Sequence, residues 1–168
     1  MERHLTVSGF VVHESRVALH WHRKIGAWLP AGGHIEPGED PVEATLREVR
    51  EEFAIEAAAL ALAPRVAYEG GPAQLEPPHT ILVCQLKEEH EHVDLVYFCR
   101  LVEGYPGRSY DAENPVVWFD AAMLAQGEAP VASTGRVAAL PSDVRALGLE
   151  ALRLAATAAV AREPEAAP

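Results

Sequence analysis

Between Asp40 and Phe53 the chain reads DPVEATLREVREEF, and no other stretch limits the fold as tightly. Asp40 is an N-cap, Pro41 suits the first helical position, and Glu43 completes a capping box with Asp40. Val42, Leu46, Val49 and Phe53 recur at helical spacing and form one narrow apolar stripe. Such a helix must lie on something flat and apolar along a single line. Glu48, Glu51 and Glu52 centre more than about 120° from that stripe, at about 100° per residue, and are therefore expected to point off the core.

Crowding three carboxylates on one arc costs a few tenths of a kcal/mol per like-charged pair, and Arg47 and Arg50 offset this only in part. Taken alone, such an arc reads as a solvated helix face. A second reading adds a divalent cation, because Mg²⁺ takes oxygen ligands and commonly bridges carboxylates and phosphates. The surroundings favour the second. Ala44, one turn before Glu48, is small enough to leave room above the carboxylates. Gly32-Gly33 lets the preceding loop come close and leaves a backbone carbonyl for the metal. Arg47 stands where it can pair with Glu51 or Glu39 and orient them.

Strands are predicted over 5–13 and 16–22 with a tight turn at Glu14-Ser15, then near 63–69, 80–86, 93–102 and 116–119. Gly- and Pro-rich loops cover 70–78 and 103–115. A short helix is expected at 120–125, and a long one over about 141–162 carries Val144, Leu147, Leu149, Leu152 and Leu154. The chain of 168 residues reads as a single domain over 1–163 with a disordered C-terminal tail at 164–168. No repeat divides it. Cys84 and Cys99 fall in apolar strands without metal spacing, and are expected to be buried free thiols in a reducing cytoplasm. Neither a secretory signal nor a membrane span is expected. A net charge of -11 disfavours DNA and RNA as partners, and admits an anionic ligand only where cations mediate.

Gly33, Glu39, Arg47, Glu48, Val49, Glu51, Glu52 and Ile55 match eight of the nine specified positions of the Nudix box, G-x5-E-x7-R-E-U-x-E-E-x-G-U with U a bulky aliphatic. The chain therefore resembles the Nudix hydrolases. A chance match in a chain of this length is on the order of one in 10⁵ to 10⁶ from average residue usage. The lead-in WLPAGGHIEPGE and the late VVWFDAAML are also similar to the family, so the resemblance covers roughly 5–160. One position departs: Ala54 stands where the box has its second glycine, which normally ends the helix in a left-handed turn. Alanine there is expected to cost about 1 kcal/mol or to shift the turn, without touching metal binding.

The resemblance implies an α/β Nudix fold, a mixed β-sheet sandwiched between α-helices. It also implies a pyrophosphohydrolase that uses Mg²⁺, or Mn²⁺ in its place, to cleave a nucleoside diphosphate linked to another moiety. By position in the motif Glu48, Glu51 and Glu52 would be metal ligands, joined by the Gly32 carbonyl. Glu52 would matter most to catalysis; Glu39, Gly33 and Arg47 would support. The family places its general base variously. Glu113, five residues before Trp118, is the first candidate, followed by Asp111 and by Glu88, Glu89 and Glu91.

Phosphate contacts are expected from Arg23 and Lys24, and His34 either faces substrate or fills its loop. Tyr68, Tyr97, Tyr105 and Tyr110 are candidates for base stacking or for the core. His90 and His92 have the i, i+2 spacing of a metal pair on a strand, with no third ligand visible in the sequence. The substrate stays open among nucleoside triphosphates, nucleotide sugars and ADP-ribose-like compounds. The rival class is a nucleotide-binding sensor without turnover; the complete glutamate set and the lack of a basic helix-turn-helix segment weigh against it. A homodimer is common among such proteins.

Overall fold

The computed structural model describes residues 2–87, 90–103, 113 and 115–160. Its elements run β1 (Glu2–His13), β2 (Arg16–His22), β3 (Ala27–Leu29), β4 (Ala31–His34), α1 (Pro41–Phe53), β5 (Glu56–Ala59), β6 (Thr80–Lys87) and β7 (His90–Glu103). They continue with β8 (Val117–Phe119), α2 (Ala121–Gln126), β9 (Glu128–Pro130), β10 (Val137–Ala139) and α3 (Ser142–Val160). The 164–168 tail, Glu88, Glu89, Asp111, Tyr105 and Tyr110 lie outside the described residues.

The main sheet is mixed, in the order β3-β2-β1-β7-β5, with β4 also on β1, β6 also on β7 and β8 also on β2. β1 and β7 are parallel over their shared length, from Glu2 beside His90 to Val12 beside Arg100. β1 pairs with β2 only at the hairpin, through Val12–Val17 and His13–Arg16. After that β2 departs, and β4 takes its place along Thr6 to Gly9. This fork sets the cleft described below.

Helices cover both faces, as expected of the α/β/α arrangement. On one face α1 buries Val49, Phe53 and Ala44 against Val7, Val11, Tyr97 and Cys99. Gly9 makes the approach possible: a Cβ there would stand 2.9 Å from Thr45 Cγ2 and 3.0 Å from Val49 Cγ2. On the other face Phe10, Leu19, Trp28, Phe98 and Phe119 pack with Leu124 of α2 and with Val144 and Ala151 of α3. Full burial of each such side chain is worth roughly 1.5–3 kcal/mol, so the sheet is held from both sides.

The start of α1 is the capping box read from the sequence. Asp40 accepts from Val42 N at 2.8 Å and Glu43 N at 2.9 Å, and Glu43 accepts from Asp40 N at 3.0 Å. Its end is less ordinary. Ala54 adopts φ 56, ψ 35, the left-handed turn of the missing glycine, and its N–H reaches the Arg50 carbonyl at 3.1 Å. Alanine keeps the turn and accepts the strain.

Two sequence expectations change. No strand forms over 63–69; the strand is β5, whose Ala57, Ala58 and Ala59 pair with β7 at Leu101, Arg100 and Cys99. Alanine is a poor strand former, but the edge of β7 beyond Val96, left open by β6, supplies the pairing that propensity does not. Val66 instead has its backbone N–H and carbonyl bonded by the side-chain amide of Gln74, at 3.1 and 2.6 Å. The glutamate arc also does not point uniformly to solvent. Glu51 is 58% exposed, but Glu52 is 24% and Glu48 14%. Averaging hid this, since Glu52 lies only about 90° from the apolar stripe, and β4 folds over that flank.

Candidate active site

Where β4 crosses the flank of α1, two local sequences meet: the capped helix and the double glycine. Gly33 is held so close that a Cβ would come within 2.2 Å of Glu48 Oε1. The Gly32 N–H donates to Glu52 Oε2 at 3.0 Å. His20, from β2, brings its Nε2 to 3.6 Å from the same oxygen. Burial therefore falls on a carboxylate that also faces Glu48 and Glu51. Desolvation first, then repulsion from those two acids, raises the Glu52 carboxyl to about 7, against the lowering effect of the Gly32 N–H.

Arg47 organises the remainder. Its guanidinium donates to Glu39 Oε1 at 2.7 Å and Oε2 at 3.1 Å, to Glu48 Oε1 at 2.8 Å, to Glu51 Oε2 at 3.2 Å and to the His34 carbonyl at 3.0 Å. Both pairings expected from sequence are present at once, and two more with them. Hydrogen bonds to Glu39 and Glu48 hold the guanidinium in its charged form, and Arg47 in turn keeps Glu39 below the ordinary carboxylate range. Glu39 also accepts from the Glu36 N–H at 3.1 Å, tying the loop before α1 to the same network.

Of the arc, Glu52 lines a cleft of about 300 Å³ at the fork between β1, β2 and β4, and Glu48 and Glu51 do not. Gly32, Gly33, His34, Glu52 and His20 form its polar wall, with Thr6, Ser8, His92 and Asp94 beyond. Phe10, Leu29, Leu82, Val96, Val144 and Leu147 form an apolar one. The arrangement is that of a small-molecule site: one apolar side and a few convergent polar groups, with a perturbed acid among them.

The other expected residues fall elsewhere. Arg23 and Glu113 form an exposed ion pair with each other, and neither lines the cleft. Lys24 is exposed on the β2–β3 turn and does not line it either. Glu91 pairs with Arg3 at 2.8 Å. Tyr97 is 3% exposed in the core under α1, and Tyr68 is exposed with its hydroxyl on the Pro72 carbonyl. Cys84 and Cys99 are both free thiols. Cys99 is buried, and burial pushes it up to about 12; Cys84 is half-buried on the cleft wall.

Three things were missed in the sequence. His20 stands beside Glu52. Asp94, 8% exposed, accepts from the Thr6 hydroxyl at 2.7 Å inside the cleft. The His90–His92 pair, which had no third ligand in the sequence, gains His4 from the paired strand. A signal for the last two exists. His90, His92 and Asp94 alternate with Glu91, Val93 and Leu95, so polar groups fill one face of a strand whose other face turns apolar after Glu91.

Comparison with known proteins identifies the fold and the family. The family model described as NUDIX domain matches residues 2–137. The asymmetrical bis(5'-nucleosyl)-tetraphosphatase of Mus musculus is 38% identical over 55 residues, which are 33% of this chain and 37% of the mouse protein. The chain thus spans little over a third of that relative's length. A crystal structure of a NUDIX-family hydrolase from Clostridium perfringens superposes with a TM-score of 0.71 at 25% identity, covering 92% of this chain and 99% of that one. The MutT NUDIX hydrolase of Burkholderia pseudomallei, at 16% identity and a TM-score of 0.58 over 92% and 98% of the two chains, shares the fold.

Proposed function

The chain belongs to the NUDIX family, and from that premise we propose that it is a Mg²⁺-dependent pyrophosphohydrolase cleaving the diphosphate linkage of a nucleoside diphosphate joined to another moiety. The observation that carries the reading is the glutamate arc held between β4 and Arg47: Glu48 fills the Cβ-sized space at Gly33, Glu52 accepts from the Gly32 N–H, and Arg47 bonds both Glu48 and the more exposed Glu51. The donor set fits a hard divalent cation: it is all oxygen and carries three carboxylates, to which position in the motif adds the Gly32 carbonyl. Glu48, Glu51, Glu52 and the Gly32 carbonyl would hold the ion, and Mn²⁺ would serve in place of Mg²⁺. When bound, the ion supplies charge neutralisation for the diphosphate and activation of water.

The protein's own residues do the rest. Arg47 holds Glu48 and Glu51 against their mutual repulsion and fixes β4 to α1 through the His34 carbonyl. The Gly32 N–H positions Glu52. With its pKa at about 7, Glu52 is protonated in part at neutral pH in the metal-free protein, so loading the site releases a proton there. The apolar wall of the cleft suits a nucleobase, and the polar wall suits the diphosphate and sugar. His34, on that polar wall, would meet substrate, whereas Arg23 and Lys24 would reach phosphates only from outside the cleft. Glu113 would act as base only after release from Arg23.

Likeness to the asymmetrical tetraphosphatases supports a dinucleoside tetraphosphate as the first substrate to try. The test is a panel of that compound, ADP-ribose, nucleotide sugars and nucleoside triphosphates, each with Mg²⁺ and with Mn²⁺, and Glu52→Gln alongside. Metal-dependent cleavage that the variant loses is the expected result. Saturable nucleotide binding with no cleavage of any compound would overturn it in favour of a sensor.

A further inference from the structure

At the outer end of the cleft, four imidazoles meet from three strands. The parallel register sets Glu2 beside His90 and His4 beside His92, and the antiparallel one sets Thr6 beside His34. Because alternate residues share a face, Glu2, His4, His90 and His92 all lie on one side of the sheet. One ring nitrogen from each of His4, His90 and His92 lies within 4.8 Å of the other two. His90 Nε2 and His92 Nε2 are 3.3 Å apart, and His34 Nε2 is 3.1 Å from His4 Nδ1. Ligands placed tetrahedrally at about 2.0–2.1 Å from a zinc ion are separated by about 3.3–3.4 Å, so the His90–His92 spacing is already close to such an edge.

The outward nitrogens are held as well. Glu2 Oε1 is 3.0 Å from His4 Nε2, and Glu2 Oε2 is 3.5 Å from His90 Nδ1. A carboxylate on the outer nitrogen is the usual partner of a metal-bound histidine, since it fixes the tautomer and turns the other nitrogen to the metal. Here one carboxylate serves two rings and leaves His4 Nδ1 towards His34 and His90 Nε2 towards His92.

We propose that His4, His90 and His92 form a second metal site, built from nitrogen and therefore selective for Zn²⁺ or a similar borderline cation, distinct from the oxygen site on α1. Glu2 is its positioning residue. His34 borders it on the cleft side. Imidazole donors suit Zn²⁺ and disfavour Mg²⁺, so the two sites sort cations by ligand chemistry. Occupancy would pin the first residues of β1 to the first residues of β7 and place a cation on the cleft wall that His92 shares. The imidazole site stands on these contacts, whether or not the protein is a hydrolase.

The test uses the tag-free 168-residue chain, stripped with chelator and titrated with Zn²⁺ in excess Mg²⁺, followed by calorimetry, thermal melting and the absorption spectrum of a Co²⁺-loaded sample. The expected result is a single saturating ion, a rise in Tm on loading, and the strong visible bands of tetrahedral, nitrogen-bound Co²⁺. His90→Ala and His4→Gln should lose the Tm rise, and Glu2→Gln should weaken Zn²⁺ by about 10–100-fold. Glu51→Gln should keep the full response. No saturable Zn²⁺ binding, or equal affinity in wild type, His4→Gln and His90→Ala, would overturn the site and leave the rings as a hydrogen-bonded group. Zn²⁺ binding lost in Glu51→Gln but kept in His90→Ala would also overturn it. His4→Gln lies near the end of a strand and keeps the test decisive should His90→Ala fail to fold.

Discussion

The flank of α1 and the outer end of β1 and β7 both gather side chains of a kind that can ligate a metal, by opposite routes. On α1, three carboxylates come from five consecutive residues, and one helix turn fixes their spacing. Across the strands, His4 and the His90–His92 pair lie 86 or more positions apart, and only the parallel register joins them. The first group repels itself and needs Arg47, whereas the second is aligned by a single acid, Glu2. A site built within one element is stiff and readable. A site built across a sheet depends on the whole fold.

The largest expected effect separates the two by function. On the proposed function, Glu52→Gln should lower Mg²⁺-dependent turnover by on the order of 10³-fold, roughly 4 kcal/mol, because a ligand charge would be lost from the site that bears on the diphosphate. Zn²⁺ affinity in the same variant should stay within about twofold of wild type, or about 0.4 kcal/mol. Measuring both on one preparation breaks the comparison if the two quantities fall together.

This contrast also explains what could be read from the chain. The cap at Asp40, the stripe Val42–Phe53 and the glutamate spacing are local, so periodicity alone places them. β5 was missed because Glu56–Ala59 has little strand propensity and is a strand only where β7 offers an edge. His20, Asp94 and the His4 partner of His92 were missed for a related reason. Each is defined by a neighbour on a distant element, α1 for His20 and β1 for Asp94 and His92, and such neighbours are not visible before the sheet is assembled. The partial burial of Glu52 belongs to the same class, since β4 supplies it.

That burial gives a pH-dependent prediction for metal-free protein. The Glu52 carboxyl rises from 4.5 in the unfolded chain to about 7 when folded, so the folded state binds this proton more tightly. Its contribution is therefore intact below pH 4.5, is lost as pH rises towards 7, and is level above. In chelator, Glu52→Gln should equal wild type in stability at low pH and exceed it above neutrality. The gain reaches up to about 3 kcal/mol, at ~1.4 kcal/mol for each tenfold difference in proton affinity between the folded and unfolded chain. Excess Mg²⁺ should reverse the order, since the ion stabilises the wild-type carboxylate. Denaturant melts across this range decide it; a variant less stable than wild type at every pH would mean that Glu52 is satisfied without metal.

Arg47 tests whether the arc needs its brace. Arg47→Met keeps the stem and removes the charge, leaving Glu39, Glu48 and Glu51 without their common partner. A loss of about 2 kcal/mol is expected for half-buried charged hydrogen bonds, with Arg47→Lys intermediate because it cannot fork to both Glu39 oxygens. Mg²⁺ should restore much of the Met variant's Tm, since a second cation meets the same oxygens. The imidazole site should be indifferent to both substitutions.

The smallest effect is the most pointed, because Ala54 sits directly after the helix that carries the arc. Its φ of 56 is a left-handed turn held by the bond to the Arg50 carbonyl. That conformation costs an alanine about 1–2 kcal/mol, whereas glycine would cost about 0.5–1 kcal/mol in chain entropy. Ala54→Gly should therefore gain roughly 0.5–1 kcal/mol, seen as a rise in Tm of a few degrees. Mg²⁺ affinity should not move, because Glu52 is set by the Gly32 N–H and by its own helix turn, both upstream of the cap. A several-fold change in Mg²⁺ affinity would mean that the strained cap sets the angle of the last turn. The arc would then share the dependence on distant structure that marks the imidazole site, and the contrast between a stiff local site and an assembled one would narrow to a difference of degree.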